Sequence, residues 1–262
     1  MSRYDVVAET YDTYRGLSPH VVGEIRATLL AAVHAPSRPR LLDLGAGSGR
    51  IGRAFVAAGD DYVGVDLSFG MLRQFARRAD TDGRLARLVH ADGERLPFGD
   101  ATFDAVLLIQ VFGGLDDWRP FVGEVLRVLR SRGTLVLGRG AMPEDGVDAR
   151  MKARLDTILA AMGVAHERKN AREDVQRWLG TRARGGAPVA ASVWEAERSP
   201  RGFLVRHRTG ARFSLLPEPV KDEAMRRLSA WAGEEFGSLD AGTTERHTFE
   251  LRFFTFTDEG RP

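Results

Sequence analysis

Four glycines lie within the eight residues GAGSGRIG, positions 45–52, and Asp43 stands two residues before the first of them. A glycine-rich turn between a strand and a helix lets the backbone approach a ligand closely, and the N-terminus of the helix favours negative charge there. The glycines at 47, 49 and 52 also match the dinucleotide pattern GxGxxG, which alone is weak evidence. We therefore expect this turn to bind a cofactor, with two classes of cofactor still open.

The residue at which the turn begins discriminates between the two classes of cofactor, a dinucleotide such as NAD(P) and S-adenosylmethionine. The strand LLDL ends at Leu44, so the turn begins at Gly45. In that frame Arg50 stands where a dinucleotide turn needs a glycine for close helix packing. Asp43 would repel a pyrophosphate at close range and attract a cationic centre. Because S-adenosylmethionine has a sulfonium and an ammonium group, these residues favour it over NAD(P).

Alternating strands and helices must position this loop. A helix is predicted to begin at Ser18-Pro19, and short apolar strands follow at RLLDL, DYVGVD, RLARLVHAD, TFDAVLLIQVF and GTLVLG, with helical patterns between them. Such alternation predicts right-handed βαβ units and a parallel sheet covered on both faces. Two helices without an intervening strand are predicted at 144–163 and 171–180. The last three elements are predicted to be a strand at APVAASVWEAE, a helix at LPEPVKDEAMRRLSAWAGEEFG and a strand at ERHTFELRFFTF.

Several of these segments resemble the class I S-adenosylmethionine-dependent methyltransferases, within the type 11 group that includes ubiquinone and menaquinone methyltransferases. LLDLGAGSGR is similar to the first family motif, YVGVDLSFGML to the second, and ADGERLPFGDATFDAV to the stretch after the third strand. The matches keep the family order over residues 40–138, which is more specific than any single motif. The resemblance implies an α/β fold of the three-layer, Rossmann-like methyltransferase type: a mostly parallel seven-stranded sheet with one antiparallel strand near the C-terminus, and a helical cap.

We expect residues 1–262 to form a single methyltransferase domain with four parts. These parts are an N-terminal helical or lid segment (1–39), a cofactor-binding core (40–140), a helical insertion or cap (141–184), and the completion of the sheet with the last helix (185–262).

The resemblance also implies roles for individual residues. Asp66 would hold the ribose hydroxyls of S-adenosylmethionine, and Asp92 would accept a hydrogen bond from the adenine amine. Tyr11 and Arg15 belong to a Tyr-Asp-x-x-Arg segment that in such enzymes folds over the cofactor, with Arg15 pairing with its carboxylate. The expected cofactor-binding residues are Tyr11, Arg15, Asp43, Gly45, Ala46, Gly47, Gly49, Asp66, Leu67, Met71, Asp92, Gly93, Glu94 and Gln110.

No catalytic residue is assigned. Gln110 stands at the end of the fourth predicted strand, where it can form hydrogen bonds but cannot take a proton near neutral pH. The remaining candidates for a general base are Tyr11, Tyr14, His166 and His207, and each has a structural explanation as well. Methyl transfer is an in-line displacement that needs a base only if the acceptor must lose a proton, so the acceptor atom stays open. S-adenosylhomocysteine would be the product.

The composition excludes several other classes of site. The chain has no cysteine, which removes disulfides, thiol nucleophiles, Cys-ligated zinc and iron–sulfur clusters, and the six histidines show no metal-ligand spacing. No apolar run approaches the roughly 20 residues of a membrane span, and the N-terminus lacks the apolar region of a signal peptide. We expect a cytoplasmic location, no membrane partner and no metal.

The formal net charge of +2 gives little support for nucleic acid as a partner. Residues 177–212 nevertheless hold eight arginines, and their convergence in the fold would suit an anionic small molecule or an RNA backbone. The expected function is methyl transfer to a small molecule, with the oligomeric state open. The alternatives are an RNA or protein methyltransferase, an NAD(P)-dependent oxidoreductase, or a protein that binds the cofactor without transferring methyl.

Overall fold

The computed structural model describes residues 4–13, 15–33, 38–81, 85–115, 117–164, 171–208, 210, 213 and 216–256. Within these ranges the strands are β1 (Arg40–Leu44), β2 (Asp61–Asp66), β3 (Arg87–His90), β4 (Phe103–Ile109), β5 (Leu129–Ala141), β6 (Arg184–Arg198) and β7 (Thr243–Thr255). The helices are α1 (Pro19–Ala32), α2 (Gly52–Ala58), α3 (Phe69–Thr81), α4 (Trp118–Val128), α5 (Val147–Ala161), α6 (Ala171–Gly180), α7 (Pro200–Arg208) and α8 (Glu218–Phe236). Short 3-10 turns cover Asp5–Val7 and Phe112–Gly114.

The described strands form one sheet in the order β3-β2-β1-β4-β5-β7-β6. Pairing is parallel from β3 to β5, while β7 runs antiparallel to both β5 and β6. One face of the sheet packs on α4 and α6, and the other on α1, α2 and α3. This confirms the predicted three-layer arrangement with one antiparallel strand near the C-terminus.

Most predicted elements are present, and β1 and β2 have the predicted boundaries. The fourth strand is shorter than predicted, because Gln110 takes a left-handed φ of 56° and ends the ladder at Ile109. The helix α7 was missed. It begins with Ser199-Pro200, the same Ser-Pro start as α1, and the Ser199 hydroxyl accepts a hydrogen bond from the Gly202 amide at 3.2 Å.

Three of the helices form a core of their own beside the sheet. Side chains of α5, α7 and α8 pack together, and the buried members of this helical core are Val147, Met151, Leu155, Ile158, Leu159, Phe203, Phe213, Ala224, Met225, Leu228 and Ala232. The predicted helical segment 141–184 is therefore divided. Its first helix joins this core, while α6 turns Ala171, Val175 and Leu179 toward the sheet because they recur every four residues on one face.

Buried charges join the helical core to the end of the sheet. Glu245 of β7 accepts a hydrogen bond from the Val147 amide at 2.6 Å, so a carboxylate stands at the N-terminus of α5, where the helix dipole favours it. Asp148 pairs with Arg198 of β6 at 3.3 Å and with Arg206 of α7. The pairing partners lie on different elements, so these contacts hold the helical core against β6 and β7.

None of the described helices is long and apolar enough to cross a membrane.

Candidate cofactor-binding site

The turn after β1 has a backbone that side chains would obstruct. Gly45, Gly47 and Gly49 have φ values of 85°, 58° and 78°, in the left-handed region that favours glycine. A Cβ on Gly45 would lie 2.7 Å from a methyl carbon of Val111, and one on Gly49 would overlap the ring of Phe75. The loop thus needs glycine both for its conformation and for its close packing.

Asp66 connects this turn to the end of β2. One carboxylate oxygen accepts a hydrogen bond from the Gly47 amide at 2.8 Å, and the other accepts from the Ser68 amide at 2.7 Å. Burial raises the pKa of Asp66, and the two amide donors oppose that shift because they favour the charged form. Each oxygen keeps a further lone pair, so the carboxylate can still accept from a diol.

Asp43 lies beneath the turn and is only 3% exposed. Its Oδ2 accepts a hydrogen bond from the Tyr62 hydroxyl at 2.6 Å, while Oδ1 is buried without a hydrogen-bond partner among the described residues. The Tyr62 ring is stacked on Phe55 and packs edge-on against Phe75, which holds its hydroxyl in place. Loss of hydration on burial raises the pKa of Asp43 to about 7.

The third crossover, after β3, brings a further carboxylate to the same edge of the sheet. Asp92 accepts a hydrogen bond from the Glu94 amide at 3.0 Å in a turn. Between them Gly93 lies so close to the ring of Phe121 that a Cβ would come within 2.5 Å of it. Glycine is therefore required at position 93 for packing against Phe121.

The N-terminal segment, residues 4–13, is fastened over this edge by two aspartates. Asp5 accepts hydrogen bonds from the Ser68 hydroxyl at 2.5 Å and the Gly70 amide at 3.0 Å. Asp12 accepts from the Ser48 hydroxyl at 2.8 Å and pairs with Arg78. The segment is thereby fixed to both the first and the second crossover.

These elements enclose a cavity of about 580 Å³ at the carboxyl edge of the sheet. Twelve of the fourteen expected cofactor-binding residues line it, namely Tyr11, Asp43, Gly45, Ala46, Gly47, Asp66, Leu67, Met71, Asp92, Gly93, Glu94 and Gln110. Sequence reasoning missed ten further lining residues, which are Tyr4, Leu44, Ser48, Arg50, Ile51, Ala91, Ile109, Val111, Leu115 and Phe121. Arg50 had a detectable pattern, since it is a cation directly after the glycine loop.

Two expected residues lie outside the cavity lining. Gly49 packs against Phe75 and shapes the loop from behind. The guanidinium of Arg15 donates hydrogen bonds to the carbonyls of Tyr11 at 3.2 Å and Arg206 at 3.0 Å, and it lies over the Tyr11 ring. Two of the five N–H donors of Arg15 thus face backbone oxygens, and its pairing with a cofactor carboxylate stays a prediction.

Arg50 is the cation that does line the cavity. It donates one hydrogen bond to the Arg15 carbonyl at 3.0 Å and another to the side-chain oxygen of Gln110. Burial lowers the pKa of Arg50. These bonds leave guanidinium donors unused, since arginine has five N–H groups.

Of the two candidates for a general base that the structure describes, Tyr11 and His207, Tyr11 lines the cavity. The other two candidates, Tyr14 and His166, fall outside the described residues. His207 is stacked on Phe203, away from the lining, and burial lowers its pKa to about 4. Over the described ranges no cluster of three or more His, Asp or Glu side chains has the arrangement of a metal site.

Comparison with known proteins identifies the family. A methyltransferase-domain profile matches residues 42–137. A demethylmenaquinone methyltransferase from Clavibacter sepedonicus is 33% identical over 184 residues, which are 67% of this chain and 74% of that protein. The chain belongs to the S-adenosylmethionine-dependent methyltransferases. Its cofactor is S-adenosylmethionine, which decides the choice that the glycine spacing had left open.

Solved structures of other proteins show the same fold at low sequence identity. The YcgJ protein from Bacillus subtilis matches with a TM-score of 0.57 at 20% identity, covering 92% of this chain and all of that one. A phosphoethanolamine N-methyltransferase from Haemonchus contortus, solved with S-adenosylhomocysteine, matches with a TM-score of 0.52 at 16% identity and covers 97% of this chain and 58% of that one. Both comparisons show a similarity of fold alone.

The buried carboxyl of Asp43 predicts a pH-dependent stability. Its pKa is raised in the fold from 3.8 to about 7, so protonated Asp43 stabilises the fold below pH 4 and that contribution is lost as the pH rises through 7. In Asp43→Asn the side chain stays neutral and still accepts from Tyr62. From pH 5 to pH 8 we expect the unfolding free energy of the variant to rise by about 2–3 kcal/mol relative to the wild type.

Urea unfolding at the two pH values measures this difference. The exposed Glu195→Gln on β6 serves as the control and should show no such change. An equal difference between Asp43→Asn and wild type at both pH values would contradict the assignment.

Proposed function

We propose that the cavity binds S-adenosylmethionine with its ribose at Asp66 and its adenine beside Asp92 and Gly93. The shape of the protein supports this fit. Gly45 and Gly93 both line the cavity, and neither can carry a Cβ without a clash with Val111 or Phe121. Asp66 can accept two further hydrogen bonds from a diol, and the turn at Gly93 lines the part of the cavity proposed for the adenine.

The amino-acid end of the cofactor is proposed to lie near Asp43 and Arg50. The unpartnered Oδ1 of Asp43 is a buried acceptor that an ammonium donor would satisfy. We favour Arg50 over Arg15 for the cofactor carboxylate, since Arg50 lines the cavity and Arg15 does not. The two opposite charges thus suit the two charged groups of an amino acid.

When bound, the cofactor supplies a methyl group on a cationic sulfur. The protein's own contribution is to position the cofactor and the acceptor in the cavity. The N-terminal segment, fastened by Asp5 and Asp12, brings Tyr4 and Tyr11 to the cavity lining, and apolar side chains at Ile109 and Val111 line it beside Gln110. Orientation in a dry site can provide much of the acceleration of a displacement reaction. We assign no proton transfer to a side chain, so the acceptor is proposed to arrive nucleophilic or to lose its proton to solvent.

The acceptor is proposed to be a small organic molecule. The relative from Clavibacter sepedonicus is named for its action on demethylmenaquinone, a small molecule. The cavity of about 580 Å³ is of the size that proteins use for cofactors and small ligands. The described features do not require a flat RNA-binding face, and the net charge of +2 does not favour RNA as the acceptor.

Removing the Asp66 carboxylate should weaken cofactor binding. Because a hydrogen bond to a charged group contributes about 1.5–3 kcal/mol, loss of one such bond in Asp66→Ala should raise the dissociation constant for S-adenosylhomocysteine by about 10- to 150-fold in isothermal titration calorimetry, and loss of both by more. Asp61→Ala, at the opposite end of β2, is the control and should bind like wild type. NADH should give no heat. Wild-type protein without heat on addition of S-adenosylhomocysteine would overturn the proposal, as would equal affinity in Asp66→Ala.

The assignment of Arg50 can be tested against Arg15 with a truncated ligand. 5′-Methylthioadenosine lacks the amino-acid part, so Arg50→Met should weaken S-adenosylhomocysteine binding about tenfold or more and leave methylthioadenosine binding unchanged. Arg15→Met should change the two affinities in parallel. If Arg15→Met, rather than Arg50→Met, weakens only the larger ligand, then the carboxylate belongs to Arg15.

A further inference from the structure

Beyond β4, at the end of β5, three arginines come together beside the cavity. The register pairs Arg139 with Glu250 and Leu137 with Arg252 across β5 and β7. Residues two apart on a strand share a face, so Arg139, Glu250 and Arg252 lie on the face of Leu137, which is the face covered by α6. Arg172, the second residue of α6, is the third arginine.

The charges in this group do not balance. Arg139 pairs with Glu250 at 2.8 Å, whereas Arg252 donates to the Gly186 carbonyl at 2.6 Å and Arg172 to the Gly138 carbonyl at 3.3 Å. Three guanidinium groups thus face one carboxylate among the residues that the structure describes. The Nε of Arg172 is buried there without a hydrogen-bond partner.

Arg172 has an unfavourable environment without an added anion. Burial, followed by the charges of Arg139 and Arg252, lowers the pKa of Arg172 to about 10. The side chain is still charged at neutral pH, so its repulsion with the other two arginines persists. A bound anion would relieve this repulsion and supply an acceptor for Nε.

This cluster adjoins the cofactor cavity through a shared carbonyl. The oxygen of Gly138 accepts from Arg172 and also from the backbone amide of Gln110, at 3.1 Å. Gln110 lines the cavity. Its left-handed φ of 56° costs energy for a side-chain-bearing residue, and such conformations often occur at functional sites.

Several arginines of the arginine-rich stretch at 177–212 pair with carboxylates instead. Arg201 is paired with Asp240, Arg208 with Asp222, and both Arg198 and Arg206 with Asp148. Arg212 lies outside the described residues. Arg139, Arg172 and Arg252, in contrast, lie far apart in the chain.

We propose that Arg139, Arg172 and Arg252 bind an anionic group of the methyl acceptor, a carboxylate or a phosphate. The proposal rests on the proposed function, since it places the acceptor beside the cofactor cavity at the end of β4 and β5. Planar guanidinium groups recognise both anions through paired N–H donors. An acceptor of this class is held by its anion while its nucleophilic atom enters the cavity near Gln110.

Binding of inorganic phosphate and of benzoate to the protein tests this site without knowledge of the acceptor. Calorimetric titrations use wild type, Arg172→Gln, Arg139→Gln and, as a matched control on α6, the exposed Arg177→Gln. We expect at least one probe to bind wild type and Arg177→Gln with similar affinity, and to bind Arg172→Gln and Arg139→Gln at least tenfold more weakly. The preferred probe identifies the phosphate or the carboxylate.

Thermal unfolding provides a second measurement. Phosphate or benzoate should raise the midpoint of wild type and Arg177→Gln more than it raises that of Arg172→Gln at equal ionic strength, because a ligand of the native state stabilises it. Equal affinities in wild type and both cluster variants, or no binding of either probe to wild type, would overturn the anion site. S-adenosylhomocysteine is titrated in parallel. Its failure to bind would refute the cofactor proposal while the anion titration is judged on its own result.

Discussion

The carboxylate of Asp66 holds two crossovers of the sheet in one arrangement. By accepting from the amides of Gly47 and Ser68, it joins the turn after β1 to the turn after β2. That position requires the loop backbone to pass through left-handed conformations at Gly45 and Gly47, which only glycine adopts without strain. Asp5 accepts a hydrogen bond from the Gly70 amide in the same second crossover. This bond holds the N-terminal segment over the cavity.

Charge is distributed unevenly along the carboxyl edge of this sheet. Acidic side chains lie near the carboxyl ends of β1, β2 and β3, and in the proposed fit they accept hydrogen bonds from the ammonium group, the ribose and the adenine; they are Asp43, Asp66 and Asp92. Past β4 the sign changes, and Arg139, Arg172 and Arg252 exceed the single carboxylate of Glu250 within the described part of the chain. Gln110 lies between the acidic part and the basic part of this edge. A methyl donor on one side and an anionic acceptor on the other would meet there, each attracted by its own half of the edge.

The cofactor half of the molecule could be predicted from sequence because its chemistry is local. Asp43, Asp66 and the glycines lie within a few residues of a strand end, where βαβ geometry determines their positions. The Arg15 expectation and the arginine cluster depended on long-range packing. Arg15 contacts the carbonyl of Arg206, 191 residues away, and Arg172 meets β5 and β7 only after α6 has docked. The helical core could not be predicted from sequence either, because one of its helices precedes β6 in the chain and the other two follow it.

Hydrogen–deuterium exchange with and without S-adenosylhomocysteine tests the central claim that three crossovers jointly bind the cofactor. The claim predicts slower exchange in peptides covering 44–52, 66–72 and 91–95, and unchanged exchange in 184–190 of β6, since bound ligand suppresses local opening. NADH should protect none of them. Unchanged exchange in all three crossovers at saturating S-adenosylhomocysteine, or equal protection by NADH, would contradict it.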